Sequence, residues 1–262
     1  MPVFFRSLRS GSSGNCLAVW NGTTSLLIDC GVRPQFKCLD MLTRHQQLNG
    51  TVHAVLVSHA HGDHMSYESL RVLRKEKIAI YGHRHVVEQL HDRHGLAAWE
   101  DPPALYAAPR SPFRIGDFSI SLIEVPHAPN YPNYGFVITS SEKKIVIFTD
   151  FHQFAGLVEH FVDADFIYLE ANHDVDLLRQ NPNPASRYHL NNQKTASLLC
   201  DVVQRSRRPP TAVMLGHLSA ERNRPHLAIR EVEKMFKSAG VTCEFDLSTA
   251  PRFEASKVIR LG

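Results

Sequence analysis

No apolar run in the 262-residue chain approaches the ~18 residues of a membrane-spanning helix, so no membrane partner is expected. Its start, Met1-Pro2-Val3-Phe4-Phe5-Arg6, shows neither the charged opening nor the long apolar stretch of a secretory signal. Cysteine is sparse. Cys16, Cys30, Cys38, Cys200 and Cys243 are odd in number, scattered and free of C-x-x-C spacing, which argues against a disulfide framework or a thiolate zinc cluster. They read as core thiols of a soluble, cytoplasmic protein. Charge of one sign is also scarce: a formal +3 and pI ≈ 8.6 permit a polyanionic substrate without demanding one.

Histidine, by contrast, is plentiful at 16 residues and clustered. His59-Ala60-His61-Gly62-Asp63-His64 places four metal-capable side chains directly behind Val52-His53-Ala54-Val55-Leu56-Val57. The valine-rich stretch predicts a buried strand, and Gly62 gives the following loop freedom to turn. From that rigid strand end His59 and His61 can converge on one cation, while Asp63 and His64 point to a second position nearby. Zn²⁺ or Mn²⁺ accepts such a mixture of nitrogen and oxygen donors. A lone loop histidine is usually a solvated one; an ordered run behind a strand is a metal site.

Other predicted strands end on donors in the same way. Ser119 to Val125 alternates and closes on Pro126-His127, again an imidazole at a strand end; on the strand alone His127 is as readily an ordinary loop histidine as the third ligand of the first cation. Lys144 to Thr149 closes on Asp150, whose two oxygens can bridge two cations as neutral imidazole cannot. Thr211 to Leu215, read as the last strand, closes on Gly216-His217, and His217 completes the second ligand set. Asp165 to Leu169 also predicts a strand and delivers Glu170, which receives no role.

The remaining chain predicts an alternation of strands and helices. Val3–Leu8, Cys16–Trp20 and Ser25–Asp29 read as strands, with a hairpin turn at Asn21-Gly22. Pro34 to Leu48 reads as a helix, Ser66 caps another through Glu76, and His83 to His94 forms a third. On that third helix His83, His85, His91 and His94 read as a solvated face. A proline-rich stretch at 101–112 marks the junction of two αβ halves within one domain spanning 1–262. Tyr188 to Asn192 opens a helix with Leu198, Leu199, Val202 and Val203 on its apolar face, and Glu221 to Lys237 reads as a polar helix.

The His59–His64 run, followed in order by His127, Asp150 and His217, resembles the metallo-β-lactamase superfamily. That resemblance implies an α/β fold, the four-layer αβ/βα sandwich, with the site on one edge between two sheets. Leu26-Leu27-Ile28-Asp29-Cys30-Gly31 matches the superfamily's strand ending in Asp-x-Gly, which implies that Asp29 buttresses the metal loop and is not a ligand. Gly11-Ser12-Ser13-Gly14-Asn15, Leu169 to Asp174 and Gly216 to Asn223 are similar to the WalJ (YycJ) branch. This implies a DNA exonuclease, with nucleic acid as partner, DNA ahead of RNA, and sets the hydroxyls and amides of residues 10–15 near the substrate.

The chain is also similar to ribonuclease Z, where a histidine near His189 assists phosphodiester cleavage. The implied mechanism uses two divalent metal ions, with Asp63 ligating metal and orienting hydroxide and His189 protonating the leaving alkoxide. Arg187, Ser219, Arg222 and Asn223 are candidates for holding phosphate oxygens. Two departures from the branch leave the substrate open: Ala128 stands where Asp usually follows the histidine, and Phe151-His152 replaces a glycine-containing turn. Alternatives are a small-molecule metallohydrolase acting on a cyclic phosphodiester, thioester or lactone, and a non-catalytic scaffold. A structural zinc closes its shell with four ligands, whereas seven candidates here leave room for water.

Overall fold

A computed structural model describes residues 1–109, 112–140 and 142–262, so the Ser111 end of the proline-rich junction lies outside the described residues. The chain begins with an antiparallel meander of β1 (Val3–Arg9), β2 (Cys16–Trp20) and β3 (Ser25–Ile28). The expected hairpin turn forms, but through the Asn21 side chain: its Oδ1 accepts from the N–H groups of Thr23 and Thr24 at 2.9 and 2.8 Å. α1 (Gln35–Asn49) then carries the chain across so that β4 (Ala54–Val57) pairs parallel to β3. α2 (Tyr67–Lys75), capped by Ser66 as expected, and α3 (Arg84–His94) lead to the parallel strands β5 (Ala79–Gly82) and β6 (Leu105–Ala107).

The second sheet opens with the antiparallel strands β7 (Phe113–Ile115), β8 (Phe118–Val125), β9 (Asn133–Ser140) and β10 (Lys143–Phe148). Helices then connect parallel strands. α4 (Val158–Phe161) precedes β11 (Phe166–Glu170); α5 (Val175–Gln180) and α6 (Asn192–Arg205) precede β12 (Ala212–Gly216); α7 (Pro225–Ala239) precedes β13 (Asp246–Thr249). Finally β14 (Ile259–Leu261) returns to the free edge of β1. The sheet orders are β14-β1-β2-β3-β4-β5-β6 and β13-β12-β11-β10-β9-β8-β7.

Two expectations need correction. Thr211 to Leu215 is not the last strand, because β13 and β14 follow; β13 reads Asp-Leu-Ser-Thr and β14 has three residues, so neither carries an apolar run that periodicity detects. The helix expected from Glu221 starts at Pro225, a residue suited to the first helical turn. Residues before it serve the site instead, with Ser219 N–H donating to the Asn172 carbonyl at 2.8 Å.

Side chains alternate across each strand, so consecutive apolar residues enter different layers. Phe5, Leu26, Ile28 and Leu56 meet Phe136, Ile147, Phe166 and Tyr168 between the sheets. Leu27, Val55 and Val57 pack outward on Cys38, Leu42, Leu70 and Leu90, while Ile167, Leu169, Val213 and Leu215 pack on Leu198, Leu199, Val232 and Phe236. Each fully buried side chain of this kind contributes about 1.5–3 kcal/mol. The result is the expected four-layer αβ/βα sandwich. Among the described residues no helix is long and apolar enough to cross a membrane. Parallel pairing also sends the C-terminal ends of β3 and β4, and of β10, β11 and β12, to one edge of each sheet, where Asp63 and His217 stand 3.4 Å apart.

Asp165, fully buried ahead of β11, locks three strands of the second sheet. Its carboxylate accepts from Lys144 N–H at 2.8 Å, Arg208 Nη1 at 2.9 Å and Lys143 Nζ at 3.2 Å, while its carbonyl accepts from Thr211 N–H. Burial opposes ionisation, but the Arg208 and Lys partners outweigh it and hold the carboxyl below its usual range. A depressed folded pKa means stability that is present above the unfolded value of ~3.9 and lost as pH falls through the folded one. Asp165→Ala should therefore lose about 1–3 kcal/mol in urea unfolding at pH 7. The difference from wild type should shrink in acid; a constant difference down to pH ~3 would rule out the charge contribution.

Candidate metal centre and active site

Strand ends hold the site with unusual backbones. Asp29 after β3, Asp150 after β10 and His217 after β12 all take positive φ, at 58°, 58° and 52°. Left-handed backbone at non-glycine residues costs energy and is retained where the surroundings over-determine it. Here it turns each side chain from the sheet into the space between the strand ends. Gly31 is needed for a related reason: a Cβ there would collide with the backbone carbonyl of Asp63.

Asp29 organises the metal loop. Its Oδ1 accepts from Ser58 N–H at 2.8 Å and from Ser58 Oγ at 3.0 Å, and its Oδ2 faces His64 Nδ1 at 2.7 Å. Ser58 Oγ in turn lies 3.0 Å from His59 Nδ1. These partners place the protons on Nδ1 of His59 and His64 and leave both Nε2 lone pairs aimed inward. The same logic applies to His127, whose Nδ1 faces the Tyr188 carbonyl at 3.3 Å.

The inward atoms fall into groups. One donor atom from each of His59, His61, His127 and Asp150 lies within 4.8 Å of the others, as do those of Asp63, His64 and His217. His61 Nδ1 stands 2.9 Å from His59 Nε2 and 3.3 Å from His127 Nε2, so lone pairs converge on a common point. Asp150 lies between the groups, with Oδ2 3.6 Å from His59 Nε2 and 3.3 Å from His64 Nε2, and Oδ1 3.2 Å from His217 Nδ1. Although buried, that Oδ1 has no hydrogen-bond partner among the described residues. Converging lone pairs and an orphaned carboxylate oxygen fit divalent cations.

Electrostatics separate the two groups. Burial and neighbouring imidazoles hold His59 well below its usual pKa and bring His61 down to about 4; burial lowers His127 as well. These three are neutral, as metal-donating imidazoles must be. Burial also opposes charge on His64 and His217, but Asp150 with the other carboxylates wins, raising His64 well above normal and His217 to about 10. Asp150 is held well below the carboxylate range because His217 and His64 outweigh its burial. The second group thus demands positive charge.

His189 enters the same region, and a residue given no role in the sequence explains how. Glu170, fully buried at the end of β11, accepts from the N–H groups of Phe151 and Leu190 through Oε1 and faces His189 Nδ1 through Oε2 at 3.0 Å. Burial lowers the His189 pKa, but Glu170 more than reverses this, so it is raised. Glu170 lies within the reach of a third donor group, with Asp150, His189 and His217, yet its hydrogen bonds already engage both oxygens. The signal for it was available: like Asp150, it is a carboxylate closing a buried strand.

Of the remaining candidates, Ser219 and Arg222 line a pocket of about 220 Å³ with Asp63, Asp150, His189 and His217. Asn223 does not; it is buried and donates to the Ala171 carbonyl at 2.7 Å. Arg187 stacks over Tyr188 at 4.7 Å. In the serine-rich loop Ser12 lines the pocket, but Asn15 donates to the Asp63 carbonyl at 3.2 Å and Ser10 Oγ accepts from His217 N–H at 2.8 Å. That loop chiefly braces the donors. At the two departures, Ala128 lies in a neighbouring recess and the Phe151 ring is buried.

Asp29→Asn would turn an acceptor of three hydrogen bonds into an amide that must present N–H to a donor. Divalent-metal affinity, measured by calorimetry, should fall about 10–100-fold, with a fall in thermal stability. Unchanged affinity would remove Asp29 from the support of the loop.

Comparison with known proteins follows the same lines. A relative from Bacillus anthracis named exodeoxyribonuclease YycJ is 26% identical over 251 residues, 92% of this chain and 91% of that protein. The metallo-β-lactamase-fold protein YhfI from Bacillus subtilis superposes with a TM-score of 0.74 at 20% identity, covering 99% of both chains. The short form of human tRNase Z gives 0.64 at 18% identity, covering 98% of this chain and 99% of that one. Residues 24–217 match the model of the Beta-lactamase superfamily domain, and with two sheets meeting over clustered His and Asp donors the chain belongs to this superfamily of metallo-β-lactamase-fold hydrolases.

Proposed function

We propose that this protein is a dinuclear metal-dependent phosphodiesterase acting on nucleic acid, DNA ahead of RNA, in the manner of an exonuclease. The observation that carries this reading is Asp150, one carboxylate placed between two groups of donors, with the Glu170–His189 pair beside them. His59, His61 and His127 would hold one ion, Asp63, His64 and His217 the other, and Asp150 would bridge them. Bound Zn²⁺ or Mn²⁺ would supply Lewis acidity and lower the pKa of water.

Asp63 is the partly exposed carboxylate among the donors, its side chain 20% exposed, so it can accept a hydrogen bond from the attacking water and fix its direction. Glu170 holds His189 by Nδ1, leaving Nε2 to donate a proton to the leaving alkoxide. Ser219 and Arg222, in the same pocket, would take non-bridging phosphate oxygens. The names of the exodeoxyribonuclease relative and of tRNase Z support a nucleic-acid substrate. One domain of two αβ halves would carry all of this in the reducing cytoplasm, which suits five free thiols. The small volume of the pocket, about 220 Å³, favours a cyclic phosphodiester as the second reading.

A substrate panel decides between them: single- and double-stranded DNA and RNA, a cyclic dinucleotide, a thioester, a lactone and bis(p-nitrophenyl) phosphate. We expect cleavage of strands, weakened by salt because phosphate contacts release counterions. Turnover of the cyclic phosphodiester, thioester or lactone without any strand would end the nuclease reading.

His189→Ala should retain two metals per chain by elemental analysis and lose roughly 10²–10⁴-fold in rate on natural strands. On bis(p-nitrophenyl) phosphate the loss should be much smaller, since p-nitrophenolate leaves without a proton. Equal losses on both substrates would refute proton donation.

A further inference from the structure

A groove of about 900 Å³ outside the catalytic pocket lies between β1, α1 and the segment 253–255. Its walls carry Arg6, Arg9, Lys37 and Arg44 against Asp40 and Glu254, and Asp40 is already engaged by Arg44 at 2.9 Å. Cations are therefore in excess. Phe36 and Phe253 stand 68% and 65% exposed on the same walls, and the Arg9 guanidinium lies 5.5 Å from the Phe253 ring centre. Arg9 Nε is buried with no hydrogen-bond partner among the described residues. Open aromatic faces among arginine and lysine are what a single strand needs, rings for its bases and cations for its phosphates. Leu8, Met41 and Leu48 add to the lining, and the excess of cations is what favours a polyanion there.

Two stretches of chain lead from this groove toward the catalytic pocket. Leu218 and Ser219 line both that pocket and an adjoining recess with Arg224 and Arg252. Arg252, which donates to the Leu218 carbonyl, runs directly into Phe253. Ser10, bonded to His217 N–H, runs directly into Arg9. Arg6 lies four residues before Ser10, about 13 Å along an extended strand. At the other end of the sheets, around β8 and α3, the recess beside His127 carries Glu88, Asp92 and Glu124, which repel phosphate.

We propose that single-stranded DNA leaves the catalytic pocket over Arg224 and Arg252 and lies in the groove of Arg9, Lys37, Phe36 and Phe253, with no comparable seat on the acidic side. The inference rests on the phosphodiesterase reading and deepens it: a strand held on one side of the reacting phosphate is presented by its end.

The test compares the metal-loaded full-length protein with two double variants, Phe36→Ala/Lys37→Glu and Arg9→Ala/Phe253→Ala. Phe36 and Lys37 are exposed on α1, so the first pair has little to disturb in the fold. Substrates are labelled oligothymidylates of roughly 4 and roughly 20 nucleotides, oligouridylate of the longer length, and bis(p-nitrophenyl) phosphate. We expect KM for the longer DNA to rise about five- to thirtyfold in each pair, the loss of one or two stacking and phosphate contacts. The short strand should be much less affected and bis(p-nitrophenyl) phosphate not at all. Wild-type KM for both lengths within twofold, or variants that cut the longer strand like wild type, would overturn the groove and leave the phosphodiesterase reading intact. So would a loss confined to oligouridylate, or a change in self-association by light scattering without a change in KM. Wild type that hydrolyses bis(p-nitrophenyl) phosphate but neither binds nor cuts any strand would overturn both.

Discussion

The buried carboxylate of Asp29 is the constraint on which the site depends. Through Ser58 it fixes the proton of His59, through Oδ2 it fixes that of His64, and its own N–H donates to the Leu56 carbonyl at 2.8 Å. A carboxyl group buried this deeply is costly unless its hydrogen bonds are made, and here both oxygens are engaged. The loop cannot relax into another conformation without orphaning them. Gly31 adds a steric lock, since its missing Cβ is the space in which the Asp63 backbone lies.

A matching arrangement stands in the second sheet. Glu170 plays toward His189 the part that Asp29 plays toward His64, a buried strand-end carboxylate holding Nδ1 and leaving Nε2 to the centre. Tyr168 and Ser10 brace the junction: their hydroxyls lie 2.8 Å apart, and Gly216 leaves room for the Tyr168 ring where any larger residue would collide. Three left-handed strand ends are the conformational cost of this arrangement. Hydrogen bonds that would otherwise be unmade hold them in place.

Electrostatics then divide the work. Neutral imidazoles gather around His61, whereas carboxylates dominate around His217 and raise its pKa to about 10. Away from the centre the surface is polarised as well, with arginines and a lysine toward β1 and acids beside His127. A polyanion approaching such a face is guided to one side of it. The modest +3 of the whole chain conceals this, because net charge sums over faces that a substrate meets separately.

Much of the centre was legible in the chain itself, because each donor closes or follows a run of residues that only a buried strand would carry. Val55 to Val57 before His59, Ile145 to Phe148 before Asp150 and Val213 to Leu215 before His217 fixed both the strands and the elements that bear the donors. The four layers were implied by the resemblance to the metallo-β-lactamase superfamily, not by periodicity. The tertiary structure decided what depends on distance. The role of Glu170 lies in a 3.0 Å contact with a residue 19 positions away, Asn223 proved a strut, and β14 joined β1 from the far end of the chain. The groove gathers Arg9, Phe36 and Phe253 from three separate segments. Periodicity records what a residue's neighbours in sequence require of it; partners brought together by folding leave no such local mark.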